Sequence, residues 1–249
     1  TVTFGFEKTG LLLYPGKGFA GQVRTADIGF TEDSLEYSGW DGLVPEPSEL
    51  ERLRNRQADG NKGTFGRVLI VAGSRGMCGA AYLSGLAAYR TGAGLVKLLT
   101  VPENREILQN QLPEAIVETY DPEELSLEEG KLFLEKQCRW ADVIVLGPGL
   151  GREPYVCDLV EQILADAFVP IVLDADGLNT VASHPYLTRY FTENIIITPH
   201  MGEMARLCSC SVEQLKEDPV QAARSYSSRY GVVGVMKDAA TVTADKDGN

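Results

Sequence analysis

The sequence predicts an α/β fold with a mostly parallel central sheet and helices on both faces. Three observations carry that prediction. From residue 63 onward, short runs of β-branched and aliphatic residues alternate with longer amphipathic stretches, as repeated strand–helix units do. The short runs are continuously apolar, as strands covered on both faces are. Each run stops at glycine or at a compact set of polar residues, where a chain leaves a sheet.

The elements follow in order. Residues 1–30 stand apart, with weak alternation over 2–6, an apolar stretch over 10–14, a turn at Pro15-Gly16 and another strand over 21–28. This is β-type material without a partner helix, too short to build its own core. Over 31–60, Pro45, Pro47 and the charged run 49–56 predict a linker and then a short helix. The run 68–72 is a buried strand that ends at Gly73-Ser74. Beyond Gly76 and Gly79, the residues Ala80, Ala81, Leu83, Leu86, Ala87 and Ala88 recur at helical spacing as far as Arg90. Strand, glycine turn and helix form a unit whose helix N-terminus offers free N–H groups to an anion, although the same glycines also serve a plain tight turn.

After a break at Gly92 and Gly94, residues 95–100 predict a second strand, 102–112 a helix, 115–119 a short strand and 123–139 a helix with a charged face. The strand 142–146 ends in Gly147-Pro148-Gly149-Leu150-Gly151, and an amphipathic helix covers 155–167. The strand 169–173 ends in Asp174-Ala175-Asp176-Gly177, and 194–197 ends in Thr198-Pro199-His200-Met201-Gly202-Glu203. A helix over 219–230 leads to the strand 232–236, which ends at Lys237, and a further strand covers 242–244.

Bulk composition narrows the function. The length of 249 residues suits one large domain, or a domain with an extra piece. A net charge of -12 argues against nucleic acid or an anionic membrane as partner. It leaves nucleotides open, because backbone N–H groups hold phosphates without net positive charge. The five cysteines are scattered and odd in number, which fits a reducing cytosol. Cys208-x-Cys210 lacks a second ligand pair at zinc spacing and reads as two thiols, so no metal site is expected. No apolar run is long enough to span a bilayer. The polar turn 245–249 resembles a hairpin tip without its return strand, which suggests a fragment.

In a parallel sheet, ligands sit beyond the carboxyl ends of the strands. Those ends collect Gly73, the glycines of 147–151, Asp174 and Asp176, His200 and Glu203, and Lys237, so one shared pocket is expected there. Glycine lets a ligand approach the main chain. Asp174 and Asp176, one residue apart on an extended stretch, could hold magnesium through water or orient a ribose hydroxyl; Asp176 could equally cap a helix at Gly177. His200 follows a proline that fixes φ, and Glu203 could orient it or cap the helix. A satisfied structural histidine is the alternative. Lys237 reads as a phosphate point charge or as a solvated surface lysine.

One ordered set of motifs joins these residues: Gly63-x-x-Gly66 leading to Gly73-Ser74, then Gly79-Ala80-Ala81, Gly92-Ala93-Gly94, the 147–151 glycine loop, Leu173-Asp174-Ala175-Asp176-Gly177-Leu178-Asn179, Thr198-Pro199-His200-x-Gly202-Glu203 and Lys237-x-x-x-Thr241. Over residues 45–249 this resembles the NAD(P)H-hydrate dehydratase family, the carboxyl-terminal domain of YjeF-type proteins. Residues 1–30 are similar to the last strands of an NAD(P)H-hydrate epimerase domain. The resemblance therefore implies two parts, 1–33 from an epimerase-like domain and 34–249 from a dehydratase domain truncated at its carboxyl end.

The resemblance implies a ribokinase-like fold and repair of NADH hydrate or NADPH hydrate by ADP- or ATP-dependent dehydration, with Mg²⁺, in a cytoplasmic homotetramer. It places Ala80, Gly149 and His200 at the hydrate, and Lys237, Asp238, Ala239, Ala240 and Thr241 at the adenine nucleotide. Asp174, Asp176, Asn179 and Glu203 take supporting or magnesium-linked roles. The family's catalytic aspartate belongs to a Gly-x-Gly-Asp segment expected after Asn249, so the base is unassigned within this sequence and activity of this stretch alone is not expected. Two departures stand out: Asp238 replaces a common glycine, and Asn61 a frequent histidine. The competing readings are a ribokinase-like kinase of vitamin precursors and a non-enzymatic nucleotide-binding fragment.

Overall fold

The computed structural model describes residues 1–31, 42–45, 48–49 and 56–249. The linker and short helix expected before residue 57, and the boundary expected at residue 33, fall for the most part outside those residues. An eight-stranded sheet organises the chain from residue 67 onward. Its strands are β3 (Arg67–Val71), β4 (Leu95–Thr100), β5 (Ile116–Thr119), β6 (Val143–Leu146), β7 (Ile171–Leu173), β8 (Ile195–Ile197), β9 (Val233–Met236) and β10 (Val242–Ala244). They lie in the order β10-β9-β8-β7-β6-β3-β4-β5. All pair in parallel except β10, which turns back antiparallel on β9. The chain thus winds from β3 toward β5, then returns and winds the other way from β6. The order reverses between β3 and β6, the point at which sheets of this kind place a crevice beyond the strand ends.

Alternate side chains leave the sheet on opposite faces, so each central strand feeds two cores. Leu69, Val71, Leu99, Ile144 and Leu146 enter the larger core, with helices α5 (Glu128–Trp140) and α6 (Tyr155–Asp166). Ile70, Ala72, Val96 and Leu98 enter the smaller one, beneath α3 (Cys78–Arg90) and α4 (Arg105–Gln111). Lys97 is the charged residue among the buried strand residues described. Its Nζ donates to Gln137 Oε1 at 2.8 Å and lies 4.1 Å from the centre of the Trp140 ring, and burial lowers its pKa. The remaining helices are α7 (Asp176–Ser183), α8 (Met201–Cys208), α9 (Val212–Glu217) and α10 (Pro219–Tyr230).

Residues 1–31 differ from the helix-free reading. The strands β1 (Val2–Phe4) and β2 (Arg24–Ala26) pair in parallel, and the short helices α1 (Thr9–Leu12) and α2 (Gly16–Ala20) lie between them. A parallel pair cannot be closed by a tight turn, so the connection must cross over. Phe4, Phe19 and Phe30 stay exposed, as expected of a piece without a core of its own. The Gly63-x-x-Gly66 and Gly92-x-Gly94 motifs lie at the opposite, amino-terminal edge of the sheet. There Gly94 N donates to Phe65 O at 3.0 Å, and a Cβ on Gly94 would stand 1.8 Å from Lys62 O. Asn61 closes the preceding turn by accepting from Gly63 N at 2.9 Å. These motifs set the entry into β3 and β4, not the site.

Asp142 ties the starts of β3 and β6 together. Its Oδ2 accepts from Arg67 N at 2.9 Å and Arg67 Nε at 3.1 Å, and its Oδ1 accepts from Arg67 Nη2 at 2.8 Å. The hydrogen bond from the Arg67 side chain holds the Asp142 carboxyl below its ordinary range. The two side chains are 46% and 40% exposed, so screening limits the pair to about 1 kcal/mol or less. A depressed carboxyl pKa stabilises above the unfolded value, and that contribution fades as pH falls through the folded one. Asp142→Asn should therefore lower urea-melt stability by about 0.5–1 kcal/mol at neutral pH. The gap to the parent protein should close in acid; a gap that persists there would show that the ion pair is not its cause.

Candidate active site

The crevice between β3 and β6 is built by loops that come closer than side chains would allow. Gly73 N donates to Pro148 O at 2.8 Å, joining the two exits. Gly147 has φ +126, and a Cβ there would lie 1.9 Å from Asp174 O. Gly149 has φ +65, and its Cβ would lie 2.7 Å from the Cβ of Ala80 in α3. Both positions are left-handed and crowded, so only glycine fits them without strain. Ala80 and Gly149, far apart in the chain, are thus brought face to face. Thr100 and Asn104, both buried, hold the β3 exit from below: Thr100 Oγ1 donates to Gly73 O at 3.1 Å, and Asn104 Nδ2 to Ser74 O at 3.2 Å.

The β7 exit departs from the extended geometry expected of Asp174 and Asp176. Ala175 has φ 50 and ψ -117, a conformation that costs a non-glycine residue about 1–3 kcal/mol. It parts the two carboxylates. Asp174 Oδ1 accepts from Lys237 Nζ at 2.9 Å. Asp176 is the first residue of α7, and its carboxylate turns outward: Oδ2 accepts from Gly151 N at 2.9 Å, and Oδ1 from Asn179 Nδ2 at 3.2 Å. The capping role considered for Asp176 is therefore replaced by a tie to the glycine loop. Asn179 Oδ1 in turn accepts from Arg206 Nε at 2.9 Å, so a hydrogen-bonded chain links the β6 loop, α7 and α8.

His200 occupies the N-cap of α8. Its Nδ1 accepts from Gly202 N at 2.9 Å, and Glu203 Oε2 accepts from His200 N at 2.9 Å, which closes a capping box. An accepting Nδ1 leaves the proton of a neutral ring on Nε2, which faces Glu203 Oε1 at 3.3 Å. Both ring nitrogens are thereby engaged. The side chain is still 56% exposed, so His200 offers a ring face and edge, while Glu203 is buried beneath it. His200 also bridges Lys237 in parallel, and Lys237 N donates to Pro199 O at 2.8 Å. Asp238, Ala239, Ala240 and Thr241 form the exposed to half-exposed connection from Lys237 into β10.

All the predicted residues therefore stand at one edge of one sheet. Ala80 meets Gly149, Asp176 meets Asn179, and Lys237 joins both Asp174 and His200. The cavity at this edge, about 490 Å³, is lined instead by residues the sequence reading passed over, among them Arg75, Glu103, Asp121 and Tyr155. Thr100, Asn104 and Arg206 were also passed over; a polar residue closing an apolar strand, as Thr100 does, was the available signal. Cys208 and Cys210 are free thiols. Among the described residues no group of three or more His, Cys, Asp or Glu is placed to hold a metal ion, and the two carboxylates considered for magnesium are engaged elsewhere.

The Ala80–Gly149 approach can be tested by a double-mutant cycle. Gly149→Ala should destabilise by about 1–3 kcal/mol through overpacking. Ala80→Gly alone should cost about 1 kcal/mol as a helix glycine. Because the second change removes the opposing methyl, the double variant should be more stable than the sum predicts, with a coupling of about 0.5–3 kcal/mol in urea melts. Strict additivity would show that the two residues do not confront each other.

Comparison with known proteins agrees with this architecture. A sequence model of the family described as NAD(P)H-hydrate dehydratase matches residues 68–249. The whole chain is 35% identical to a bifunctional NAD(P)H-hydrate repair enzyme of Moorella thermoacetica, covering 47% of that protein. It is also 35% identical to the Escherichia coli protein of the same description, with 98% of the chain matching 45% of the relative. The chain thus spans about half the length of the curated relatives it matches. Among solved structures, an ADP/ATP-dependent NAD(P)H-hydrate dehydratase from Bacillus subtilis, co-crystallised with ATP and Mg²⁺, superposes with a TM-score of 0.63 at 30% identity, covering 79% of this chain and 66% of that one. A ribokinase-like superfamily protein from Enterococcus faecalis gives 0.65 at 27% identity, covering 76% and 63%. The fold is ribokinase-like, and the chain belongs to the NAD(P)H-hydrate dehydratase family.

Proposed function

We propose that this strand-end edge serves the ADP- or ATP-dependent dehydration of NADH hydrate or NADPH hydrate to the reduced dinucleotide. The observation that carries this reading is the convergence of the Gly149–Ala80 crevice with the Asp174–Lys237–His200 cluster on adjoining strands. A crevice bounded by backbone and glycine accepts a flat ring closely, and the lysine beside it supplies a charge for phosphate. In the reaction, the ring hydroxyl of the hydrate attacks the terminal phosphorus of the nucleotide, and AMP leaves when ADP is used. The phosphate ester then departs as phosphate while the neighbouring ring carbon loses a proton, and the double bond of the dihydropyridine is restored.

Within that scheme, Ala80, Gly149 and the exposed face of His200 bind the hydrate ring. Lys237 Nζ, aimed by Asp174, meets the transferring phosphate, and residues 238–241 bound the nucleotide. Asp176, Asn179 and Glu203 hold these groups in place through the hydrogen bonds described above. Such a site works by positioning and by stabilising phosphate charge. The described residues do not fit a resident magnesium ion, so Mg²⁺ enters with the nucleotide phosphates, as it commonly does. Residues 1–33 read as the end of a preceding epimerase-like domain, and 34–249 as dehydratase. A cytoplasmic homotetramer remains the expectation from the family, checked by light scattering. Among the described residues no helix is long and apolar enough to cross a membrane. No observation favours a vitamin-precursor kinase.

The test uses the full-length protein, with NADH hydrate and either ADP or ATP, and follows the return of reduced-nicotinamide absorbance. Lys237→Met should lower kcat by about 10²-fold, the usual effect of losing one charge-stabilising donor. His200→Ala should raise KM for the hydrate more than it lowers kcat. No absorbance return with either nucleotide would end the proposal. Unchanged kinetics with lowered melting temperature in His200→Ala would make that residue a helix cap only.

A further inference from the structure

The 490 Å³ cavity has no role in the chemistry above. It lies over the exits of β3, β4, β5 and β6 and is lined by Arg75, Val101, Pro102, Glu103, Asp121, Pro122, Glu153 and Tyr155. Its lining continues the crevice: Arg75 follows Ser74, Glu153 lies two residues past Gly151, and a Cβ on Gly151 would stand 3.3 Å from Ser74 Oγ. Its lining includes an aromatic ring, Tyr155, and two prolines, Pro102 and Pro122. Behind Tyr155 packs Tyr120, with ring centres 6.2 Å apart. The Tyr120 hydroxyl is buried and has no hydrogen-bond partner among the described residues. The opposite character comes from three carboxylates against one guanidinium.

We infer that this cavity receives the adenosine half of the dinucleotide substrate, and that its acidic lining selects NADH hydrate over NADPH hydrate. The inference rests on the proposed dehydration for the identity of that substrate. Neighbouring strands are about 4.8 Å apart, and the lining runs from the β6 and β3 exits to those of β4 and β5, so the cavity centre lies roughly one strand spacing from the Gly149 crevice. A dinucleotide joined through its pyrophosphate can occupy both at once, with its nicotinamide half in the crevice and its adenosine half in the adjoining cavity. Tyr155 and the prolines offer a surface on which an adenine ring can stack. Arg75, at the crevice side, is placed for the pyrophosphate. Glu103, Asp121 and Glu153 can accept from ribose hydroxyls, as an acidic residue does in dinucleotide folds. The same carboxylates repel a 2′-phosphate, because like charges brought together oppose binding.

The experiment measures calorimetric binding of ADP-ribose and 2′-phospho-ADP-ribose to the full-length protein, which needs no turnover. ADP-ribose should bind about tenfold or more tightly, a modest effect for an uncompensated charge. Glu103→Gln and Asp121→Asn should each narrow that gap by about threefold, half a decade of the tenfold scale. Equal affinities, or a gap that neither substitution changes, would overturn the inference. Turnover of the two hydrates is measured in parallel. A binding gap without turnover of either hydrate would refute the dehydration and leave the cavity assignment standing. Turnover of both hydrates with equal kcat/KM and no binding gap would do the reverse.

Discussion

The structure depends on how closely two chain exits approach at the point where strand order reverses. Between β3 and β6, Gly73 N reaches Pro148 O, and Gly147 sits where a Cβ would strike Asp174 O. That proximity has a topological origin. The chain winds outward from β3 in one direction and from β6 in the other, so no crossover helix covers the gap between their ends. What fills the gap is backbone. The loop conformations there must satisfy their own N–H and C=O groups, and they do so by bonding to one another and to the buried Thr100 and Asn104. The crevice is therefore rigid because it is made of main chain supported by a closed core.

From that fixed point, order spreads through hydrogen bonds rather than through further packing. Gly151 donates to Asp176, Asp176 binds Asn179, and Asn179 binds Arg206 on α8. Arg206 lies on the same helix that His200 caps, so the orientation of the histidine is tied to the glycine loop through four residues. Ala175 shows what the arrangement demands. Its left-handed conformation turns α7 so that Asp176 faces the loop while Asp174 faces Lys237. Strain of this kind persists only where the surroundings over-determine it, and here three strand exits do so.

The sequence exposed most of the sheet because burial on both faces leaves a strong signal. Every strand from β3 to β10 falls within two residues of an apolar run, and the polar residues at their ends are the ones gathered at the edge. Helices read less well where their apolar face is short. The helix α9 has one buried residue, Leu215, yet Ser211 and Gln214 form a capping box that was readable as Ser-x-x-Gln. The strands of residues 1–31 suggested β material alone, because α1 contains no buried residue to set a helical period. The divergence of Asp174 and Asp176 was hidden for another reason: one alanine in an unusual conformation decides it, and alanine gives no warning of positive φ. The cavity was the least legible feature, since Arg75, Glu103, Asp121 and Glu153 come from four separate loops and each looks like an ordinary surface charge.

On the proposed function, a protein of net charge -12 must hold phosphates against its own overall charge. Its overall field repels anions, so attraction must be local and short-ranged. The ion pair of Lys237 with Asp174 is 43% and 29% exposed, a setting in which such a pair adds about 1 kcal/mol or less to stability. Fold stability is thus a poor explanation for it. Aim is a better one. Lys237 leaves β9 beside His200, and a free lysine there would sample many rotamers at an entropic cost when a phosphate bound. Asp174, held in place by the turn at Ala175, limits those rotamers beforehand by holding the ammonium at 2.9 Å. On the proposed function, the weakness of the pair is part of the arrangement, because a phosphate carrying more charge than one carboxylate would compete for the same lysine.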